Sequence, residues 1–385
     1  MNIHKGFKFR IYPTKEQEIS LLQCGGNARF LWNYVLELNK TFYKETKKFK
    51  FYHELASLLP ELKKEFPFLK LSYSQSLQTV LRNFEKSLKE SFKKKGFPRF
   101  KKKLLLNDSF AYPQGWRFNK GFVKIPKIGE VRWRKHRNLQ GKPKKITVSQ
   151  DGSNWYCSVL CEIKTPEQEK KTENLVGCDV GLKNFLILSD GKVIPNPRYL
   201  NQYRDKLTKA QRKLSRKQKG SRNRFKQRLK VRKLHNKIRD IRKDFLHKLS
   251  NLIAKDYDGI VVEDLNIKGM VKNPKLARSI SDVSWSEFFR QLKYKCKWFF
   301  KHFIKIDRWY PSSKTCSSCG SIQEMPLSKR TFNCPDCGIL IDRDLNASIN
   351  IKNLGLHTLG HRGINACGDD SLESSGKQEK ESLEN

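Results

Sequence analysis

Cys316 and Cys319, then Cys334 and Cys337, form two C-x-x-C pairs fourteen residues apart, each followed at once by a glycine, Gly320 or Gly338. Four thiolates in this pattern can close tetrahedrally on one zinc ion, with the glycines permitting the tight turns. No other feature constrains the chain so strongly: two distant turns must meet at one point around a loop with little core of its own. A zinc held by four thiolates has no open position, so its expected role is a structural staple. The six other cysteines, Cys24, Cys157, Cys161, Cys178, Cys296 and Cys367, lack paired spacing and read as small buried apolar residues.

The second pair runs into "GILIDRDLNASINI", with Asp342 and Asp344 one residue apart. Soft thiolates and hard carboxylates select different ions, so two metal sites are expected rather than one. Asp336, between the cysteines, reads as a solvated loop acid. Two further acids end apolar strands: Asp179 in "LVGCDVG" and Glu263 in "GIVVEDL". Burying either alone would cost several kcal/mol, so each needs a cation or a hydrogen-bond donor. Taken singly, each also fits a partnered structural acid. Together with Asp342 or Asp344 they make an oxygen site for Mg²⁺ or Mn²⁺. Two such ions about 3.5–4 Å apart can activate water and stabilise the leaving oxygen of a phosphodiester. A strand through both Asp342 and Asp344 would put them on one face, so spacing does not choose between them. A helix beginning at Asp344 would favour that acid through its dipole.

The substrate class follows from charge. Lys and Arg number 80 against 38 acids, a formal +42, spread from Lys5 to Lys352. Such an excess suits an extended polyanion, nucleic acid above all. No apolar segment approaches the ~20 residues of a membrane span, and the start lacks the apolar core of a signal peptide, so a cytoplasmic protein without a membrane partner is expected. The stretch 199–256 carries only a few acids among its many cations and reads as two phosphate-lining helices, 199–219 and 222–256. Its candidate contacts are Arg212, Arg216, Arg222, Arg224, Arg228 and Arg232; Arg10, Lys183 and Arg343 are candidates elsewhere.

Periodicity divides the 385 residues. "GFKFRIYP" alternates as a strand with Lys8 and Arg10 on one face; helical spacing follows over residues 14–103; short alternating runs with Gly turns fill 104–165. Pairing the first strand with that later sheet makes the helical segment an insertion. A polar linker spans 166–174. At Leu175 a second domain opens with a strand and a hairpin turning at Asp190 and Gly191. Residues 369–385 read as a disordered acidic tail.

In order, "GCDVGLKNFLILSDG", "VVEDLNIKGM", "PSSKTCSSCG" and "CPDCG" with "DRDLNASINI" resemble the transposon-encoded TnpB (OrfB-type) family of RNA-guided DNA endonucleases, related to compact type V CRISPR effectors. "FRIYPTKEQE", "CGGNARFLWNYVLE", "GFPRF" and "NPKLARSISDVSWSEF" extend the resemblance over nearly the whole chain. The resemblance implies an α+β multidomain protein. Its wedge-type β-barrel, residues 1–13 and 104–165, would carry an inserted helical recognition lobe, 14–103. An RNase H-like (RuvC) α/β nuclease domain would follow over 175–312 and 341–368, with a four-cysteine zinc ribbon inserted at 313–340. The family's acids fall on Asp179, Glu263 and Asp344, implying two Mg²⁺ (or Mn²⁺) ions beside one structural Zn²⁺. The implied partners are a guide RNA and double-stranded target DNA, cut next to a short adjacent motif. One RNA per monomer, in the prokaryotic cytoplasm on the nucleoid, completes the expectation. A nuclease-inactive guided regulator and a strand-transferring transposase are the alternatives.

Overall fold

The computed structural model describes residues 2–103, 108–166, 170–326 and 328–362. The acidic tail, residues 363–368 with Cys367, and parts of the expected 104–165 and 166–174 segments lie outside them. The chain forms two compact units, Met1–Glu167 and Gln168–Asn385.

In the first unit, β1 (Asn2–Tyr12) buries Ile3, Phe7, Phe9 and Ile11 and leaves Lys8 and Arg10 exposed, the period-two alternation of a half-buried strand. Thr14 then caps α1 (Lys15–Thr46): its hydroxyl accepts from the Gln17 amide at 3.3 Å while the Gln17 side chain accepts from the Thr14 amide at 3.0 Å. This reciprocal box satisfies two otherwise orphaned donors, and Glu16 and Glu18 add the charge a helix start favours. Next come α2 (Tyr52–Ser57), α3 (Leu59–Glu65) and α4 (Ser74–Glu90), then β2 (Ser109–Tyr112), β3 (Arg117–Asn119), β4 (Phe122–Ile125), β5 (Gly129–Arg134), β6 (Lys142–Asp151) and β7 (Asn154–Lys164). All pairings are antiparallel, in the order β2-β6-β7-β1-β5-β4-β3. The helices are thus inserted between β1 and its sheet.

The expected barrel is a curled half-barrel. β1 lies along β7 from Asn2 to Ile11 and meets β5 only from Arg10 to Tyr12, while β2 and β3 end the order unpaired with each other. β2 and β3 are four and three residues long, too short to complete closure. Leu21 and Cys24 of α1 pack into the sheet's core with Phe9, Tyr112, Trp133 and Val159. Further along the same helix, Leu31, Trp32, Val35 and Leu36 join a separate core with Leu55, Leu77, Leu81 and Phe84.

The second unit runs β8 (Leu175–Asp179), β9 (Asn184–Leu188), β10 (Val193–Pro195), α5 (Tyr199–Gln202), α6 (Arg204–Ser215), α7 (Arg222–Asp256), β11 (Gly259–Glu263), α8 (Ile267–Met270), α9 (Ala277–Val283), α10 (Trp285–Trp298), β12 (His302–Ile306), β13 (Thr331–Asn333), β14 (Leu340–Asp342) and α11 (Arg343–Arg362). Its sheet has the order β10-β9-β8-β11-β12, with β8, β11 and β12 parallel and β9 and β10 antiparallel to their neighbours. The helix expected over 199–219 is divided, because Tyr203 leaves helical geometry at φ −106° and ψ 2°. The 222–256 helix is present as α7.

Alternation along the central strands sorts side chains between two faces. Val176, Cys178, Ile260 and Val262 pack with Leu249 and Ile253 of α7 and Phe288 and Leu292 of α10. Leu175 and Val261 turn the other way, to Ile351 of α11. Gly177 lies on this second face, where a Cβ would collide with the Ser348 carbonyl and sit 2.6 Å from the Lys352 amide. Gly177→Ala should therefore push α11 off the sheet and lower stability by about 1–3 kcal/mol, visible as a reduced melting temperature. An unchanged melt would refute the close approach.

Candidate active site

Parallel pairing sets Cys178 against Val262, so Asp179 and Glu263 follow at the same end of adjacent strands. Asp179 lies two residues beyond Gly177 and Glu263 two beyond Val261, both positions on the α11 face, so each acid shares that face. Asp344 occupies the first turn of α11. Three carboxylates from three elements therefore converge at one sheet end.

Burial pushes Asp179 well above the ordinary carboxylate range; the negative fields of Glu263 and Asp344 add to it, while Arg343 and the Val180 amide oppose. Burial also raises Glu263, against a 2.6 Å hydrogen bond donated by the Ser312 hydroxyl. Asp344 faces Arg343 at 3.0 Å and Arg330 at 3.6 Å. A poorly hydrated cluster of mutually repelling acids is stabilised by a cation, and hard oxygen donors suit Mg²⁺ or Mn²⁺. The acids share one field without closing into one cage.

The structure separates the two aspartates that spacing left equivalent. β14 ends at Asp342 and α11 starts at Arg343. Asp342 caps that helix, accepting from the Asp344 amide at 2.9 Å and the Leu345 amide at 3.1 Å, and is exposed. Asp344 alone turns to the acid cluster.

The cysteines meet as their spacing predicts. All four sulfurs lie within 4.8 Å of one another, the only such set of ligand atoms among the described residues. The turns are near copies: Gly320 donates to the Cys316 carbonyl and Gly338 to that of Cys334, both at 3.0 Å, with φ of 79° and 72°. Four convergent thiolates fit zinc. Asp336 is exposed beside them.

Ser312, Asn346 and Asn350 tie the cysteine module to the acids and were not legible as site residues. Asn350 donates to the carbonyls of Ser312 at 2.8 Å and Thr315 at 2.6 Å; Asn346 donates to Thr315 at 2.7 Å and accepts from the Ser317 amide at 2.9 Å. Both are buried one turn apart on α11. A circuit results: Glu263, Ser312, the chain before Cys316, the two asparagines, then Asp344 on the same helix. The signal was present in "DLNASIN", two amides at i and i+4 that share one side of the helix. Asn350→Ala would strand the Ser312 carbonyl and leave that of Thr315 to Asn346 alone, and should cost about 1–3 kcal/mol, measurable by thermal denaturation.

Of the candidate contacts, Arg10, Lys183, Arg212, Arg216, Arg222 and Arg228 are exposed and Arg232 is half-buried. Arg10 also bonds Asn154 at 2.7 Å. Arg224 turns inward, donating to the Leu214 and Lys217 carbonyls at 2.9 and 2.6 Å and closing the α6–α7 turn. Arg343 is likewise held inside, by Asp344 and the Lys329 carbonyl. Among the described residues, no helix is long and apolar enough to cross a membrane.

Residues 158–274 match the family OrfB_IS605, described as "Probable transposase"; 285–351 match "Cas12f1-like, TNB domain"; and 1–48 match a "Helix-turn-helix domain". In this chain residues 1–48 contain β1 and the unbroken α1. A protein of Streptomyces pristinaespiralis named "Putative RNA-guided DNA endonuclease" is 38% identical over 95% of this chain and 92% of its own. "Putative RNA-guided DNA endonuclease InsQ" of Escherichia coli (strain K12) is 34% identical over 95% and 94%. A Cas12f1 chain, solved by cryo-EM in a "Cas12f1-sgRNA-target DNA complex", shares the fold with a TM-score of 0.60 at 15% identity, over 91% of this chain and 99% of that one.

Proposed function

Since the chain belongs to the TnpB-like family of RNA-guided DNA endonucleases, we propose that its nuclease centre is of the RuvC two-metal type, built from Asp179, Glu263 and Asp344. What carries this reading is the convergence of those acids from β8, β11 and the first turn of α11 on one face of a mixed sheet. Two Mg²⁺ or Mn²⁺ ions bound there would supply an activated water and neutralise the leaving oxygen. The chain's own contribution is geometric and electrostatic. Parallel strands align two acids, α11 brings the third, Ser312 orients Glu263, and Arg330 and Arg343 place positive charge beside Asp344.

The first unit would hold the guide RNA and read a short motif beside a double-stranded DNA target, with RNA–DNA pairing providing sequence choice. The four cysteines would hold one Zn²⁺ as a structural element. The chain would work as a monomer with one RNA. Neither a cleavage-dead regulator nor a strand-transferring transposase is favoured, since all three acids are present and none lacks a position at the centre.

Comparison of Asp342→Ala with Asp344→Ala tests the assignment. With guide RNA, target DNA and Mg²⁺, Asp344→Ala should lower the cleavage rate at least about a thousandfold. Asp342→Ala should retain cleavage and lose only the capping contribution, about 0.5–2 kcal/mol of stability. Equal loss in both variants would contradict the separation of roles.

A further inference from the structure

The four sulfurs of the cysteine module divide by exposure as well as by turn. Cys316 and Cys334, the first of each pair, are 1% and 2% exposed, whereas Cys319 and Cys337, the second of each, are open to solvent. The backbone enforces this division. The Cys316 amide donates to the Ser321 carbonyl at 2.8 Å and the Cys334 amide to the Ile339 carbonyl at 3.0 Å, so each turn closes behind its first cysteine and shows its second at the tip. Between the turns, Cys337 lies 3.6 Å from Cys316 and Cys319 lies 3.6 Å from Cys334, sulfur to sulfur. Each exposed sulfur therefore faces a buried one from the opposite turn. The other described cysteines, Cys24, Cys157, Cys161, Cys178 and Cys296, are all buried.

We propose that the cysteine module is an oxidation site whose two cross-turn disulfides, Cys316–Cys337 and Cys319–Cys334, expel zinc and switch off the acid centre. A thiol bound to zinc is held deprotonated, and susceptibility to peroxide follows thiolate character and exposure, so Cys319 and Cys337 react first. The exposed thiolate attacks one oxygen of hydrogen peroxide and breaks the O–O bond; the sulfur becomes a sulfenic acid and hydroxide leaves. The facing thiolate then attacks that sulfur, forming the S–S bond and releasing a second hydroxide. Two electrons thus pass from each sulfur pair to one peroxide. Both pairs together consume two peroxides for each zinc freed, because sulfurs joined in disulfides no longer carry the charge that holds the ion.

The consequence reaches the acids through geometry. A disulfide holds its sulfurs about 2.05 Å apart, so each facing pair must close by roughly 1.5 Å from its 3.6 Å separation. Cys316 directly follows Thr315, whose carbonyl accepts from Asn346 and Asn350, and Ser312, the donor to Glu263, stands four residues before it. A shift of about 1 Å in groups that position a reacting centre can cost about a hundredfold in rate. Thiol reductants open the same bonds by exchange, so the change reverses once zinc is resupplied. The sulfur chemistry stands apart from the nuclease reading above, and its effect on cutting rests on that reading.

The test treats zinc-loaded protein, with its guide RNA, with hydrogen peroxide and follows zinc release to a chromogenic chelator, peptide mapping of the disulfides and target cleavage. One zinc should appear for every two peroxides consumed, with Cys316 joined to Cys337 and Cys319 to Cys334. Cleavage at saturating Mg²⁺ should fall at least about a hundredfold, in step with zinc release. Dithiothreitol with Zn²⁺ should restore it, and dithiothreitol with further Mg²⁺ should not. Cys337→His keeps three thiolates and an imidazole for zinc but leaves Cys316 without its partner, so oxidation should give the Cys319–Cys334 bond alone. Zinc retained while buried cysteines oxidise, bonds from Cys316 to Cys319 or from Cys334 to Cys337, or full cleavage after zinc loss would each overturn the proposal. Were the untreated complex to bind target without cutting, the nuclease reading would fail, and zinc release with the disulfide map would still decide the oxidation site.

Discussion

Asp179→Asn should abolish cleavage and raise thermal stability in the absence of divalent ions. The activity loss is expected to be at least about a thousandfold, roughly 4 kcal/mol of transition-state stabilisation, because in the two-metal centre proposed above an amide does not replace a carboxylate as a ligand to both ions. The stability gain has the same origin. Burial and the fields of Glu263 and Asp344 hold the Asp179 proton far more tightly than in the unfolded chain. A folded-state pKa above the ordinary 3.8 means that the native state binds more protons, so stability falls as pH rises from that value through the raised one. The asparagine removes this dependence. Wild-type protein melted across that range without divalent ions should lose stability toward neutral pH, the variant should lose less, and Mg²⁺ should close the gap. A variant that melts below wild type at neutral pH would show that Asp179 is a structural partner and not a strained ligand.

Removal of the zinc proposed for the four cysteines should be the most damaging change that touches no acid. Zinc bound by four thiolates contributes apparent free energies of about 10–16 kcal/mol in small zinc modules. Without it the Cys316 and Cys334 turns have little to hold them, since among the described residues their local core contains Met325 and Phe332 besides the two buried cysteines, with Ile339 and Ile341 at its edge. Releasing the first turn frees the chain at Ser312 and Thr315. Glu263 then loses its 2.6 Å donor, and Asn346 and Asn350 lose the carbonyls that fix α11. Chelated protein returned to saturating Mg²⁺ should therefore cut at least about a hundredfold more slowly, and added Zn²⁺ should restore it where further Mg²⁺ does not. Cys316→Ser/Cys334→Ser should behave as the chelated protein. Full cleavage by protein shown to contain no zinc would break the link between module and centre.

The sequence made legible those features whose physics is local. Cysteine spacing announces convergent sulfurs, helical spacing from residue 14 announces the inserted helices, and apolar strands ending in Asp179 and Glu263 announce acids that need company. Features set by tertiary geometry were hidden. Nothing in "IDRDL" reveals that the strand stops at Asp342, leaving that acid to cap the next helix while Asp344 turns inward. Ser312 reads as an ordinary loop serine until the fold brings Glu263 beside it. Arg224 and Arg343 look like their basic neighbours, yet their guanidiniums are held by backbone carbonyls and, for Arg343, a carboxylate. The open edge of the first sheet was hidden because closure depends on strands too short to carry a strong alternating pattern.

The unbroken α1 has a consequence for how the first unit comes apart. Its early turns belong to the sheet's core and its later turns to the helical core, with Gly25 and Gly26 inside the helix and no interruption between. Gly25 lies under Asp108, whose carboxylate meets Arg29 one turn further on at 3.0 Å. The two cores share a spine, so neither can open fully while the other stays shut without fracturing a continuous run of helical hydrogen bonds. Amides on either side of that glycine pair should thus exchange with solvent in one common opening event, and the unit should unfold as a single cooperative block despite its two separate cores.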